Sequence, residues 1–112
     1  MRGIRAYGRH GADPGERDRA QAFDIDVELE ADLTAARHSD ALADTVDYAA
    51  VHERIVNIVE QTSFELLERL GEELLRMLLE DRRIAGARVT IGKPLLLHGA
   101  TPSVTLSAVQ PR

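Results

Sequence analysis

The sequence has no cysteine and no tryptophan, its aromatic content is 4%, and lysine occurs once in 112 residues. Lack of Cys excludes disulfides, thiolate metal sites and a cysteine nucleophile. With so few rings, the core has to be filled by Leu, Val, Ile and Ala. No apolar stretch approaches the ~18 residues of a membrane span, and Met1-Arg2-Gly3-Ile4-Arg5 has no signal-type apolar segment. A cytoplasmic protein without a membrane partner is therefore expected. The formal net charge of -5 counts against nucleic acid, which calls for a basic footprint. Also absent are a Gly-rich phosphate fingerprint, HExxH and G-x-S-x-G. The four histidines, His10, His38, His52 and His98, share no metal-ligand spacing and read as surface or capping residues. No cofactor and no metal site is expected.

What is present fits one domain spanning residues 1–112, with 44% hydrophobic and 29% charged residues. Apolar and acidic residues alternate from Phe23 to Leu33, the pattern of a strand with one buried and one wet face. The wet face then carries Asp24, Asp26, Glu28, Glu30 and Asp32. Met1–Tyr7 reads as a shorter strand, joined to the first by a loop from Gly8 to Arg19 rich in Gly, Pro and Asp. A polar link covers Thr34–Asp44. The spacing of Val51, Ile55, Ile58 and Val59 predicts a helix over Tyr48–Glu60.

Thr62-Ser63-Phe64-Glu65 has the form of a capping box, which predicts a second helix to about Leu79. Its apolar stripe is Leu66, Leu67, Leu70, Leu74, Met77 and Leu78, with Glu65–Arg69 and Glu72–Arg76 as i,i+4 pairs outside. Alternation returns at Ala87–Ile91 and Val104–Val109. The order β-β-α-α-β-β predicts an α+β fold: an antiparallel four-stranded sheet with both helices on one face. An open sheet leaves two exposed edges, which proteins either blunt or pair with other subunits.

Chemistry-bearing residues are few. Glu16 lies in the long loop, Tyr48 opens the first helix, and Glu68 stands early in the second. Lys93 is the one lysine among 14 basic residues and precedes a proline at a strand end. Codon bias accounts for such a lysine, and so does a position where Arg would fail because guanidinium keeps its proton. Taken singly, each of the four reads as a solvated surface residue, Glu68 complementing its helix dipole.

Local order says more. Tyr7-Gly8-Arg9-His10-Gly11, then Glu16, then Gln21-Ala22-Phe23 resemble the opening of the dihydroneopterin aldolases of folate biosynthesis. The resemblance continues in Ser39-Asp40-Ala41-Leu42-Ala43-Asp44-Thr45-Val46-Asp47-Tyr48, in Phe64-Glu65-Leu66-Leu67-Glu68 and in Ile91-Gly92-Lys93-Pro94. Together these motifs cover nearly the whole chain. Where many members carry a Pro-x-Pro turn after the lysine, this chain reads Leu95-Leu96-Leu97-His98-Gly99-Ala100, and Asp47 stands where His or Asn is common.

The resemblance implies the tunnelling fold, in which four subunits close their sheets into a barrel and two rings stack as an octamer. Pterin sites would then lie between neighbouring subunits. It implies Glu68 and the Leu67 backbone as the pterin anchor, Lys93 as general acid/base, and Tyr48 assisting from the adjacent subunit. Glu16 and Gln21 would complete the pocket. The implied reaction is retro-aldol cleavage of 7,8-dihydroneopterin, with the ring as electron sink and neither Schiff base nor metal. The related dihydroneopterin triphosphate 2′-epimerases, and a non-catalytic pterin-binding ring protein, remain alternatives at this point.

Overall fold

The computed structural model describes residues 1–94 and 99–111. Four strands form one antiparallel sheet in sequence order: β1 (Ile4–Gly8), β2 (Gln21–Ala31), β3 (Ile84–Gly92) and β4 (Ser103–Val109). Three helices lie between β2 and β3: a short α1 (Thr34–Ser39), then α2 (Tyr48–Gln61) and α3 (Leu67–Leu78). The expected α+β layout is the observed one. No helix among the described residues is long and apolar enough to cross a membrane.

The alternation in β2 does what it predicts. Phe23, Ile25 and Val27 are buried toward the helices, while Asp26, Glu28 and Glu30 are exposed on the other face. The register sets Ile25 beside Ile4 and Ile91, and Val27 beside Val89, so one apolar layer runs across β1, β2 and β3. Leu70, Leu74, Leu75, Met77 and Leu78 of α3 and Ile55 and Val59 of α2 close over it. Each such side chain contributes roughly 1.5–3 kcal/mol when fully buried, so α3 is the principal helical anchor. Opposite this layer the sheet is bare. There Arg5 holds Asp24 through two bonds of 2.7 and 3.0 Å, and Thr90 meets Thr105 at 2.9 Å.

Several local expectations change. Asp32 has left β2: its carboxylate accepts from the Thr34 N–H and hydroxyl and opens α1, so it does not join the acidic face. The polar link therefore contains a helix, followed by a 3-10 turn at Leu42–Asp44. β3 begins three residues before Ala87, because a bulge opposite Glu30/Ala31 lets both Ile84 and Ala87 face the core.

Thr62-x-x-Glu65 is not a capping box. Thr62 ends α2, with its N–H and its hydroxyl both donating to the Ile58 carbonyl. The Ser63 hydroxyl donates to the Arg9 carbonyl, and α3 starts at Leu67 with Leu66 as an N-cap lacking any side-chain bond. Glu65 accordingly pairs with Arg17, while Arg69 and Arg76 both turn to Glu73 rather than to Glu65 and Glu72. At α2 the cap is conventional: the Asp47 carboxylate accepts from the Ala49 and Ala50 N–H groups.

Candidate active site

The long β1–β2 connection folds back onto the sheet instead of hanging free. Gly15, at φ 79°, turns the chain into a short 3-10 segment, Glu16–Asp18. The Glu16 side chain then lies against Gly11, where an added Cβ would overlap its carboxyl group. One carboxylate oxygen accepts from the Asp13 N–H at 3.2 Å. The other accepts from Lys93 Nζ at 2.6 Å and from Gln21 Nε2 at 3.2 Å. Gln21 Nε2 also donates to the His10 carbonyl at 3.1 Å.

Lys93 follows directly on β3. Its backbone N–H donates to the Pro102 carbonyl, and its side chain is 9% exposed against 12% for Glu16. Both charges are thus mostly removed from water, and they are paired. Exposed ion pairs contribute little, whereas a desolvated pair with further hydrogen bonds is stiff and costly to break on one side. The ammonium bonded to it holds the Glu16 carboxyl below the usual glutamate range, against the opposing effect of burial, and the Gln21 and Asp13 donors add to the lowering.

That depression carries a stability consequence. Glu16 ionises at lower pH when folded than when unfolded, so its contribution is present above the unfolded value, about 4.3, and is lost as pH falls through the folded one. Urea midpoints of the wild type should drop below pH ~4.3 more steeply than those of Glu16→Gln, which cannot titrate. Parallel curves for the two chains would show the pair to be without energetic weight.

Leu67 and Glu68 lie at this same end of the sheet. The residues before α3 are tied to the loop: the Phe64 N–H donates to His10 Nδ1 at 2.9 Å, and the Phe64 carbonyl accepts from the Gly11 N–H at 3.0 Å. Gly71, one turn into α3, sits so close to Leu106 and Ile91 that a Cβ would meet Leu106 Cδ1 at 2.8 Å. Glu68 is exposed, and among the described residues its side chain makes no hydrogen bond or ion pair. With no side-chain cap, the first amides of α3 beside it are open to a ligand.

Tyr48 is elsewhere. It is 73% exposed and starts α2, whose other end touches His10 through the Val59 carbonyl. Eleven residues of helix separate Tyr48 from Val59, about 17 Å along the axis. The segment leading to Tyr48 is clasped by Arg83, which donates to the carbonyls of Thr45 and Ala43 at 2.7 and 3.2 Å. Arg83 precedes β3 and Lys93 follows it, so the strand's nine residues place the two ends about 30 Å apart. Within one chain, Glu16, Gln21, Lys93, Leu67 and Glu68 share one end and Tyr48 occupies the other.

His10 overturns its sequence reading. It is neither surface nor cap but fully buried, with both ring nitrogens bonded. The two glycines around it were the available signal: Gly8 lies against the Val59 carbonyl, and Gly11 makes room for Glu16. His38 and His52 are exposed. Leu95–His98 lie outside the described residues. Among those described, no three His, Asp or Glu side chains are grouped so as to hold a metal ion.

Comparison with known proteins identifies the family. A family model described as FolB, dihydroneopterin aldolase, matches residues 1–108. The dihydroneopterin aldolase of Staphylococcus haemolyticus is 43% identical over 76 residues, 68% of this chain and 90% of that one. The Streptomyces coelicolor enzyme of the same name is 36% identical over 94 residues, 84% and 79% of the two chains. Among solved structures, E. coli dihydroneopterin aldolase in complex with neopterin superposes with a TM-score of 0.90 at 28% identity, covering 96% of this chain and 95% of that one. By sequence and by fold, the chain belongs to the dihydroneopterin aldolase family of lyases.

Proposed function

We propose that the chain is a 7,8-dihydroneopterin aldolase of folate biosynthesis, yielding 6-hydroxymethyl-7,8-dihydropterin and glycolaldehyde. The observation that carries the reading is the buried Glu16–Lys93 pair standing at the same end of the sheet as the open start of α3 with Glu68. The neopterin in the E. coli relative supports a pterin as the ligand here.

Glu68 then accepts two parallel N–H bonds from the amino-pyrimidinone edge, the geometry in which a carboxylate binds Arg, with the Leu67 backbone alongside. Lys93 serves as the general acid/base, and Glu16 and Gln21 hold it. A proton leaves the hydroxyl on the second side-chain carbon, and the bond between the first and second side-chain carbons breaks. The two-carbon fragment departs as glycolaldehyde. The electron pair left on the first carbon is delocalised into the ring as an enamine, and a returned proton completes the hydroxymethyl group. The ring is the sink, so neither a lysine Schiff base nor a metal is called for. A positioned acid/base typically contributes about 10²–10⁴-fold, and holding the substrate supplies much of the rest.

Tyr48 enters from a second subunit, since within its own chain it lies at the opposite end of the sheet from Lys93. Four subunits joining β1 and β4 edges into a closed barrel, with two such rings stacked, would bring the ends together. By light scattering the protein should have a mass that is a multiple of four times 12.4 kDa. A monomer at micromolar concentration contradicts the shared site.

The reaction is tested by incubating the protein with 7,8-dihydroneopterin and separating the pterins. Expected are glycolaldehyde and the hydroxymethyl pterin in equal amounts. A pterin that keeps its three-carbon chain with inverted stereochemistry would make the protein an epimerase, and an unchanged substrate would leave a binding protein only.

A further inference from the structure

The proposed reaction gives roles to Glu16, Gln21 and Lys93 but none to His10, whose carbonyl accepts from Gln21. His10 has no exposed surface, and it links the two halves of the site. On one side its carbonyl accepts from Gln21, which bonds Glu16, which bonds Lys93. On the other its ring accepts the Phe64 N–H, while the next residue, Gly11, donates to the Phe64 carbonyl. Both backbone groups of Phe64 are therefore held by His10–Gly11, three residues ahead of α3.

The ring is fixed as well as buried. Phe64 stacks on it at 5.7 Å between centroids, and the Phe23 ring meets it edge-on at 5.3 Å. Because Phe64 N–H donates to Nδ1, the ring hydrogen resides on Nε2 and is donated to the Val59 carbonyl at 2.9 Å. A core residue wanted only for volume has no need of two directed bonds.

We propose that His10 is a positioning residue for the pterin site: through its Nδ1 it sets the start of α3, and with it Leu67 and Glu68, at a fixed distance from the Glu16–Lys93 pair. This inference rests on the site reading given above. The anchor and the acid/base sit on separate segments, and α3 has no side-chain cap of its own to fix its first turn. A displacement of about 1 Å between them is enough to cost about 10²-fold in rate. The His10 bond to Phe64 is the buried side-chain bond among those that hold that register, beside the Gly11–Phe64 and Ser63–Arg9 bonds.

Two variants separate the role of each ring nitrogen. In His10→Asn, Oδ1 stands in the place of Nδ1 and still accepts from Phe64. In His10→Gln, the longer amide reaches the place of Nε2 and still donates to Val59, but Phe64 loses its acceptor. Both leave a smaller side chain, so both should lower Tm. The rate of glycolaldehyde release at saturating substrate, read well below each Tm, should fall at least about tenfold in His10→Gln and stay within about threefold in His10→Asn. Equal losses in the two, or losses that follow Tm alone, would overturn the proposal and leave His10 as core packing.

Failure of the underlying site reading looks different. It appears in chains with His10 intact, as a wild type that does not bind neopterin or a Glu68→Gln chain that binds as well as wild type, and it would overturn the His10 role with it. Should neither His10 variant fold, ring-15N spectra of the wild type decide. The neutral Nε2–H form supports the proposal, and an Nδ1–H form at neutral pH overturns it.

Discussion

Lys93→Arg should lower kcat by at least about 10²-fold, almost as far as Lys93→Ala. Arginine preserves the positive charge and has more donors than lysine, so it can still pair with the Glu16 carboxylate that Nζ meets at 2.6 Å. If positive charge near the pterin were sufficient, the arginine chain would remain active. Lysine differs in being able to release its proton and take it back, whereas guanidinium holds its proton at any working pH. The expected loss is therefore in kcat. Pterin affinity should move much less in either variant, because Glu68 and the Leu67 backbone stand on α3 rather than on the strand end that carries Lys93. Turnover of the arginine chain within a few-fold of wild type would mean that Tyr48, Glu16 or water moves the proton.

The second large effect belongs to binding. Glu68→Gln should weaken pterin affinity by about 1.5–3 kcal/mol, roughly 10- to 150-fold, while leaving stability within about 0.5 kcal/mol. Gln has nearly the same size but replaces one acceptor oxygen with an N–H donor, which then faces a donor on the pterin edge. The reason to expect no cost in folding is structural: Glu68 is exposed and, among the described residues, its side chain bonds to nothing. Fluorescence quenching by neopterin paired with urea unfolding measures both quantities on the same samples. Unchanged affinity would reduce Glu68 to a residue that complements the helix dipole.

Much of this architecture is legible in the chain because the sheet is built from patterns of period two. Phe23-Asp24-Ile25-Asp26-Val27 announces its buried face residue by residue, and the leucine stripe of α3 does the same at helical spacing. Lys93 could be singled out by rarity alone. What failed were features whose partners are distant. Thr62-x-x-Glu65 looks like a helix start, yet Thr62 bonds backward to Ile58 and Ser63 reaches Arg9, 54 positions away. Likewise nothing local says that His10 is buried, since its partners Val59 and Phe64 lie some 50 residues on. The pairing of Glu16 with Lys93 spans 77 positions, and its burial comes from the loop folding over the sheet.

Composition and spacing also say nothing of which end of the molecule a residue occupies. That placement separates Tyr48 from Lys93 within one chain, and the proposed contribution of a neighbour rests on it. The most direct test of a site shared between subunits is to refold chains carrying Lys93→Ala together with chains carrying Tyr48→Phe. Each parent alone should be impaired about 10²-fold. In a closed ring assembled at random from equal amounts, about a quarter of the interfaces unite an intact Lys93 with an intact Tyr48. Glycolaldehyde release should therefore recover to about a quarter of the wild-type rate. A mixture no more active than its parents would contradict the shared site and, with it, the placement of Tyr48 in the reaction.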